Sequence, residues 1–275
     1  MLNEWLPLLK EWLHLALRWT HIFAGILWVG TTFFFTWLDG RLTEEERDAR
    51  AGERAQVWMV HSGGFYVVEK QKGVELLPRH LHWFRYEALA TWLSGFALLV
   101  LLYYLSDGLT YAGEDGLGGT AAVLVALGTL VAGWIIYDLL WRSPLGRNEK
   151  AGAVACYLLL VAASYGLTRI FSGRAAYIHV GAIMGTIMFV NVWERILPAQ
   201  RQLIAATKEG REVDMTLAAR AKQRSKHNTF MAVPVVFTML SNHFATSTYG
   251  HQYNWLILSA LILLGFLAAK FVRRA

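Results

Sequence analysis

"TAAVLVALGTLVAGWIIYDLLW", residues 120–141, decides the fold. Asp138 is the one charged side chain in this run of twenty-two residues. As a helix the run rises about 33 Å, enough to cross a hydrocarbon core. Similar runs occupy about 14–37, 85–105, 151–168, 175–194, 229–247 and 252–271. Hydrophobic residues make up 55% of the 275, charged residues 17%, and mean hydropathy is +0.35. Soluble domains of this length rarely reach such values. The expectation is an all-α polytopic transmembrane bundle of about seven spans, with 1–275 forming a single integral membrane domain.

Charge sets the expected orientation. Segments 38–84, 142–150 and 195–228 and the tail from Lys270 hold 21 of the Lys and Arg residues, against three on the alternate side. The basic excess marks the cytoplasmic face, so the N-terminus is expected outside and the C-terminus inside. The net charge of +6 then describes a collar beside anionic lipid. Basic residues are spread over several loops and interleaved with acids, as in "EEERDARAGER", which excludes a nucleic-acid surface. The opening "MLNEWLPLLKEW" lacks the basic region of a signal peptide and reads as an interfacial stretch anchored by Trp5 and Trp12. Cys156 stands alone, so neither an intrachain disulfide nor a CxxCH haem attachment exists. Two cytoplasmic segments are long, about 38–84 and 195–228. In the first, the glycine pair of "VHSGGFYVVEKQKG" breaks any helix. The second is charged and helical from Pro198 and extends toward the sixth span. Pro234 is expected to kink that span.

Nine histidines fall into two layers. His14, His21, His179, His243 and His251 lie toward the outer face; His61, His80, His82 and His227 toward the cytoplasmic one. At about 1.5 Å per residue, His21, His179 and His243 all sit roughly 7–9 Å outside the midplane, on three different spans. Imidazoles at one depth in a dry bundle suit axial ligation of haem b, with two of the three on the iron. Gly25, one turn beyond His21, and Gly181 and Gly185, beyond His179, would let a flat ring approach the backbone. His14 and Arg18 lie on the face of His21 and suit propionates. Copper held by three imidazoles is the alternative metal. The competing reading is a set of histidines hydrogen-bonded between helices.

In the inner layer, His61, His82 and His227, with Ser62, Tyr66 and Asn228, suit a polar substrate pocket or a second redox site. As catalytic candidates these three histidines titrate near neutrality. His80, beside Arg79, and His251 read as solvated surface histidines. Asp138 and Arg142 have i,i+4 spacing and read as a helix-end pair; Glu194–Arg195 reads as an interfacial anchor, and Glu87 as a proton carrier facing inward.

"VHSGGFYVVEK" (60–70), "LHWFRYEALATWLSGFALL" (81–99), "HVGAIMGTIM" (179–188) with "PAQR" (198–201), and "HNTFMAVPVVFTMLSNHF" (227–244) resemble, in order, the membrane domain of the bacterial membrane-bound urate oxidase family, also called urate hydroxylase. The resemblance implies a redox protein of the bacterial inner membrane that oxidises a purine such as urate and feeds electrons to the respiratory chain. The histidines shared by motif position are His21, His61, His82, His179, His227 and His243. In the family a c-type cytochrome domain follows; these residues hold no CxxCH, so a separate cytochrome c or other respiratory acceptor is the expected partner. The alternative function is a non-enzymatic haem-binding electron-transfer or structural subunit of a larger respiratory complex. A transporter would show broken helices or repeats.

Overall fold

The computed structural model describes residues 2–49, 54–70, 81–106, 108–110, 119–212 and 214–273, and the side chains of these from residue 5 onward. Helix α1 (Leu2–Asp48) leads to a hairpin, β1 (Gln56–His61) and β2 (Gly64–Glu69). Next come α2 (Tyr86–Leu99), prolonged as a π-helix over Val100–Tyr104, α3 (Gly119–Arg142) and α4 (Glu149–Ile170). Helix α5 (Gly173–Val190) passes through a π-helical segment, Asn191–Ile196, into α6 (Leu197–Lys208). Helices α7 (Met215–Leu240) and α8 (Asn254–Val272) complete the order. Counting continuous rods, the described residues form seven helices, six of them long and apolar enough to cross a membrane.

The seventh expected span, 229–247, is not such a helix. Helix α7 begins in the charged stretch at Met215, its apolar half runs only from Thr229 to Leu240, and a 3-10 turn, Ser241–His243, follows. Twelve residues rise about 18 Å, too little to cross alone. The charged stretch expected to be helical from Pro198 is broken between Lys208 and Met215; its second part then continues without a break into the apolar one, and the helix runs through Pro234. The amino end also differs from expectation. Residues 2–13 are not a separate interfacial piece but the start of the 47-residue α1.

Caps set the starts of three helices. Asn148 accepts hydrogen bonds from the Lys150 and Ala151 N–H groups, Ser172 from Ala175, and Asp214 from Thr216. Gly210, at φ +63°, ends α6 in the left-handed region open to glycine.

The bundle is built around α5, which buries Tyr177, His179, Val180, Met184 and Met188. Small residues admit its neighbours: a Cβ on Gly181 would collide with Thr238 Oγ1 of α7, and one on Gly133 of α3 would lie 2.6 Å from Ile183. Lipid offers no hydrophobic drive between helices, so close packing and interhelical hydrogen bonds hold such bundles. Trp92 of α2 contributes both. It stacks on Phe189 at 4.7 Å and donates to Thr186 Oγ1 at 3.1 Å. Large apolar side chains such as Trp19, Phe23, Leu124, Val131 and Leu264 face outward, as a lipid-facing surface requires.

The hairpin departs from an all-α chain. Ser62 (φ +49°) and Gly63 (φ +77°) make the two-residue turn with both φ values positive that suits hairpin twist. Val57, Met59 and Val68 pack on Leu38 and Leu42 of α1. Asp39 ties the hairpin to the bundle by pairing with both Lys70 and Lys222.

Candidate functional site

The three outer histidines meet different fates. The His21 ring lies against Gly95 of α2, where a Cβ would come 2.6 Å from Cε1. Its Nδ1 donates to the Thr91 carbonyl at 2.8 Å, with Ser94 Oγ at 3.3 Å. His179 is fully buried; its Nδ1 donates to the Ala175 carbonyl at 2.7 Å, and Nε2 accepts from Tyr104 Oη at 3.1 Å. A carbonyl only accepts, so both rings are fixed as the Nδ1–H tautomer with the lone pair on Nε2. Ligating imidazoles are anchored in this way. His243 instead lies exposed on the 3-10 turn after α7.

The expected convergence of all three is therefore not what the fold builds. His21 is held by Thr91 and Gly95 of α2 and His179 by Tyr104 of the π-helical segment after it, and no group of three or more His, Cys, Asp or Glu is placed to hold a metal ion among the described residues. That leaves the three-imidazole copper arrangement without its geometry. The glycines are also used otherwise. Gly25 faces Thr91 and Gly181 faces Thr238, so both serve helix contact; only Gly185 has open space beside it. Equal depth along an axis does not fix the direction a side chain points. In the amino-terminal part of α1, Arg18 donates to His14 Nε2 at 2.8 Å.

A denser polar site lies between α3, α7 and the π-helical segment. Its polarity can be read from one end. The Met188 carbonyl accepts from Asn228 Nδ2 at 2.9 Å, which turns Asn228 Oδ1 toward Asn191 Nδ2, also at 2.9 Å. The same Asn191 nitrogen donates to Tyr137 Oη at 3.0 Å. Among these contacts His227 Nδ1, 2.8 Å away, is the acceptor open to the Tyr137 hydroxyl proton. That leaves His227 neutral with its hydrogen on Nε2, a buried atom with no partner.

Charge surrounds this chain. Asp138 is buried and takes three guanidinium groups: Arg195, at 2.9 Å from Nε to Oδ1; Arg224, at 2.9 Å from Nη2; and Arg142, at 3.6 Å. The Arg224 guanidinium also lies over the Tyr137 ring, 4.9 Å from its centroid. Arg224 is itself 5% exposed, and its Nη1 has no partner; nor has Asn191 Oδ1. Trp141 closes the cluster, 4.1 Å from the His227 ring.

Of the inner-layer candidates, only His227 and Asn228 belong here. His61 is exposed at the hairpin turn, where Nδ1 meets Ser62 Oγ at 2.7 Å; exposed His82 stacks edge-on with Phe84 at 4.5 Å. Neither joins His227. Tyr66 is exposed on β2, and His80 and Arg79 lie outside the described residues. Glu87 is half-buried with one unpartnered oxygen, consistent with an inward-facing acid. Asp138 is more than a helix-end partner of Arg142, and Arg195 more than an anchor. Sequence reasoning missed Tyr137, Asn191 and Arg224 entirely. The signal for them was the amide Asn191 standing in an apolar run and the spacing of Arg224 one turn before His227 and Asn228. Both π-helical segments serve histidines: Tyr104 ends one and reaches His179, and Asn191 begins the other. Such segments often mark functional sites.

Compared with known proteins, the chain is matched over residues 7–275 by the family model described as urate oxidase N-terminal. No curated protein and no solved structure matches it significantly.

Proposed function

The chain belongs to the urate oxidase N-terminal family, and from that premise we propose a redox protein of the bacterial inner membrane that oxidises a purine such as urate. Electrons pass to a cytochrome c or another respiratory acceptor, and the N-terminus lies outside. Six long apolar helices support the membrane setting. The reading is carried by one observation: an oriented hydrogen-bond chain from the Met188 carbonyl through Asn228, Asn191 and Tyr137 ends in a buried, unpartnered N–H at His227. A buried donor left alone costs about 1–3 kcal/mol, and a ligand with a matching acceptor recovers it.

His227 is therefore the substrate-orienting donor, with Tyr137 fixing its tautomer. In this role it holds a proton at Nε2 and cannot act as a base until the chain reverses. Asn191 Oδ1 faces an N–H of the substrate. Trp141, beside the imidazole, offers a flat wall to a heterocycle.

Haem b, if bound, supplies a one-electron carrier for electrons leaving the substrate. His21 and His179 would hold it: the His21 Nε2 lone pair is open on a ring anchored to a backbone carbonyl, whereas that of His179, anchored likewise, would first have to be released from Tyr104 Oη. His243 has no such anchor. His14 and Arg18, hydrogen-bonded to each other in the amino-terminal part of α1, would meet the haem propionates.

The test is spectroscopic and kinetic. Purified protein should show reduced-minus-oxidised bands of b haem, and anaerobic urate should bring up the reduced spectrum. Tyr137→Phe should retain the bands and lower urate-dependent reduction at least ten-fold. A protein without haem bands, or one that urate never reduces, would overturn the proposal.

A further inference from the structure

We infer that the outward face of the hairpin is a lipid-contacting surface, seated in the headgroup layer of the bilayer that the helices cross. This rests on the membrane setting alone and not on the redox reading. Side chains alternate between the two faces of a strand. Val57, Met59 and Val68 point to α1, where they pack on Leu38 and Leu42. The other face carries Trp58 opposite Val67 and Val60 opposite Phe65. All four are exposed, and Phe65 is 80% exposed. A contiguous apolar patch of this kind marks an interaction surface.

Depth argues for lipid over a protein partner. Leu38 follows Phe34 by four residues and Phe35 by three, so the hairpin rests on the α1 face that carries those two exposed rings. Phe35 touches Phe84, two residues before α2 begins at Tyr86, and this contact marks the rim of the bundle. Leu38 and Leu42 lie about 5 and 10 Å past that rim, and the polar layer of each leaflet is about 5–8 Å thick. The hairpin therefore stands at headgroup height and continues the lipid-facing surface of α1. Its backbone belongs at that height too. A two-stranded ribbon carries unpaired N–H and C=O groups along its edges, which hydrocarbon cannot satisfy and headgroup water can. Trp58 suits the same layer. Charge is cancelled around the face, where Arg54 pairs with Glu69 and Lys70 with Asp39. The attraction is thus apolar and indifferent to lipid charge.

The experiment is fluorescence quenching of the full chain in nanodiscs of phosphatidylcholine, with and without phosphatidylglycerol. Cys156→Ser removes the native thiol, and Phe65→Cys takes a bimane label. Val67→Cys repeats the measurement on the same face should Phe65→Cys not fold. A label at Glu209→Cys, exposed after α6, is the aqueous reference. Iodide should quench the hairpin label about five-fold less than the reference. Lipid carrying a nitroxide at the headgroup should quench it more than lipid carrying one deep in the acyl chain, equally in both lipid mixtures. Iodide quenching equal to the reference would overturn the proposal. Protection from iodide and from both nitroxides would also overturn it, and would give the face to a second copy or a protein partner. Stronger quenching by the deep nitroxide would overturn the headgroup assignment.

Discussion

Asp138 is a buried carboxylate on which three guanidinium groups meet. Its carboxylate is the shared counter-ion of Arg195 and Arg224, one of them nearly fully buried. Removing it leaves cations buried and unpaired. Asp138→Ala should destabilise the protein by about 3–5 kcal/mol, read as a fall in the unfolding midpoint in detergent. Arg142→Ala should cost far less, because its side chain is 65% exposed and 3.6 Å from the carboxylate. Equal losses for the two variants would show that burial is not what sets the cost. His227 depends on its neighbours in a different way. Its position midway along α7 follows from sequence spacing, but its tautomer follows from a chain that ends on the carbonyl of Met188, 39 residues earlier in the sequence.

At the level of elements, α5 and α7 approach closely because Gly181 has no side chain. Gly181→Ala places a Cβ against Thr238 Oγ1 and should cost about 1–3 kcal/mol. Adding Thr238→Ala should recover part of that loss, measurable as coupling in a double-mutant cycle. The start of α7 offers a pH handle outside the membrane. Hydrogen bonds from the Thr216 side chain and backbone N–H hold the Asp214 carboxyl below its usual range. A carboxylate depressed in the folded state stabilises above its unfolded value, and the contribution fades as pH falls through the folded one. Amide exchange in the first turn of α7, corrected for intrinsic rate, should therefore speed up in acid. Asp214→Asn should flatten that dependence. The two π-helical segments act at this scale too. In the second of them Asn191, its first residue, meets Tyr137 and Asn228, and Arg195 meets Asp138.

For the whole molecule, the helices divide the histidines into anchored and free. His21→Ala and His179→Ala should each abolish the b-haem bands of the purified protein, whereas His243→Ala should leave them. Loss of the bands only in His243→Ala would reverse the assignment. The same division shows how far the sequence reached. It placed His21 and His179 within spans and His227 at the entrance of a helix, and it singled out Asn228. It did not find Tyr137, which reads as one more aromatic in a span, or Arg224, which reads as a solvated charge among "RAKQRSK". Both are bound into the site by contacts between residues 54 to 90 positions apart in the chain.

The sequence alone determined the class of the protein: apolar runs of membrane-crossing length, an asymmetric distribution of basic residues and the family motifs are properties of the chain read in one dimension. It also determined depth, because rise along a helix is constant. Only the tertiary structure decided direction. Whether a histidine faces a neighbour, a glycine or the outside depends on how each helix is rotated about its axis. That rotation is set by close contacts such as Gly181 on Thr238, and by π turns that shift the register past any regular period.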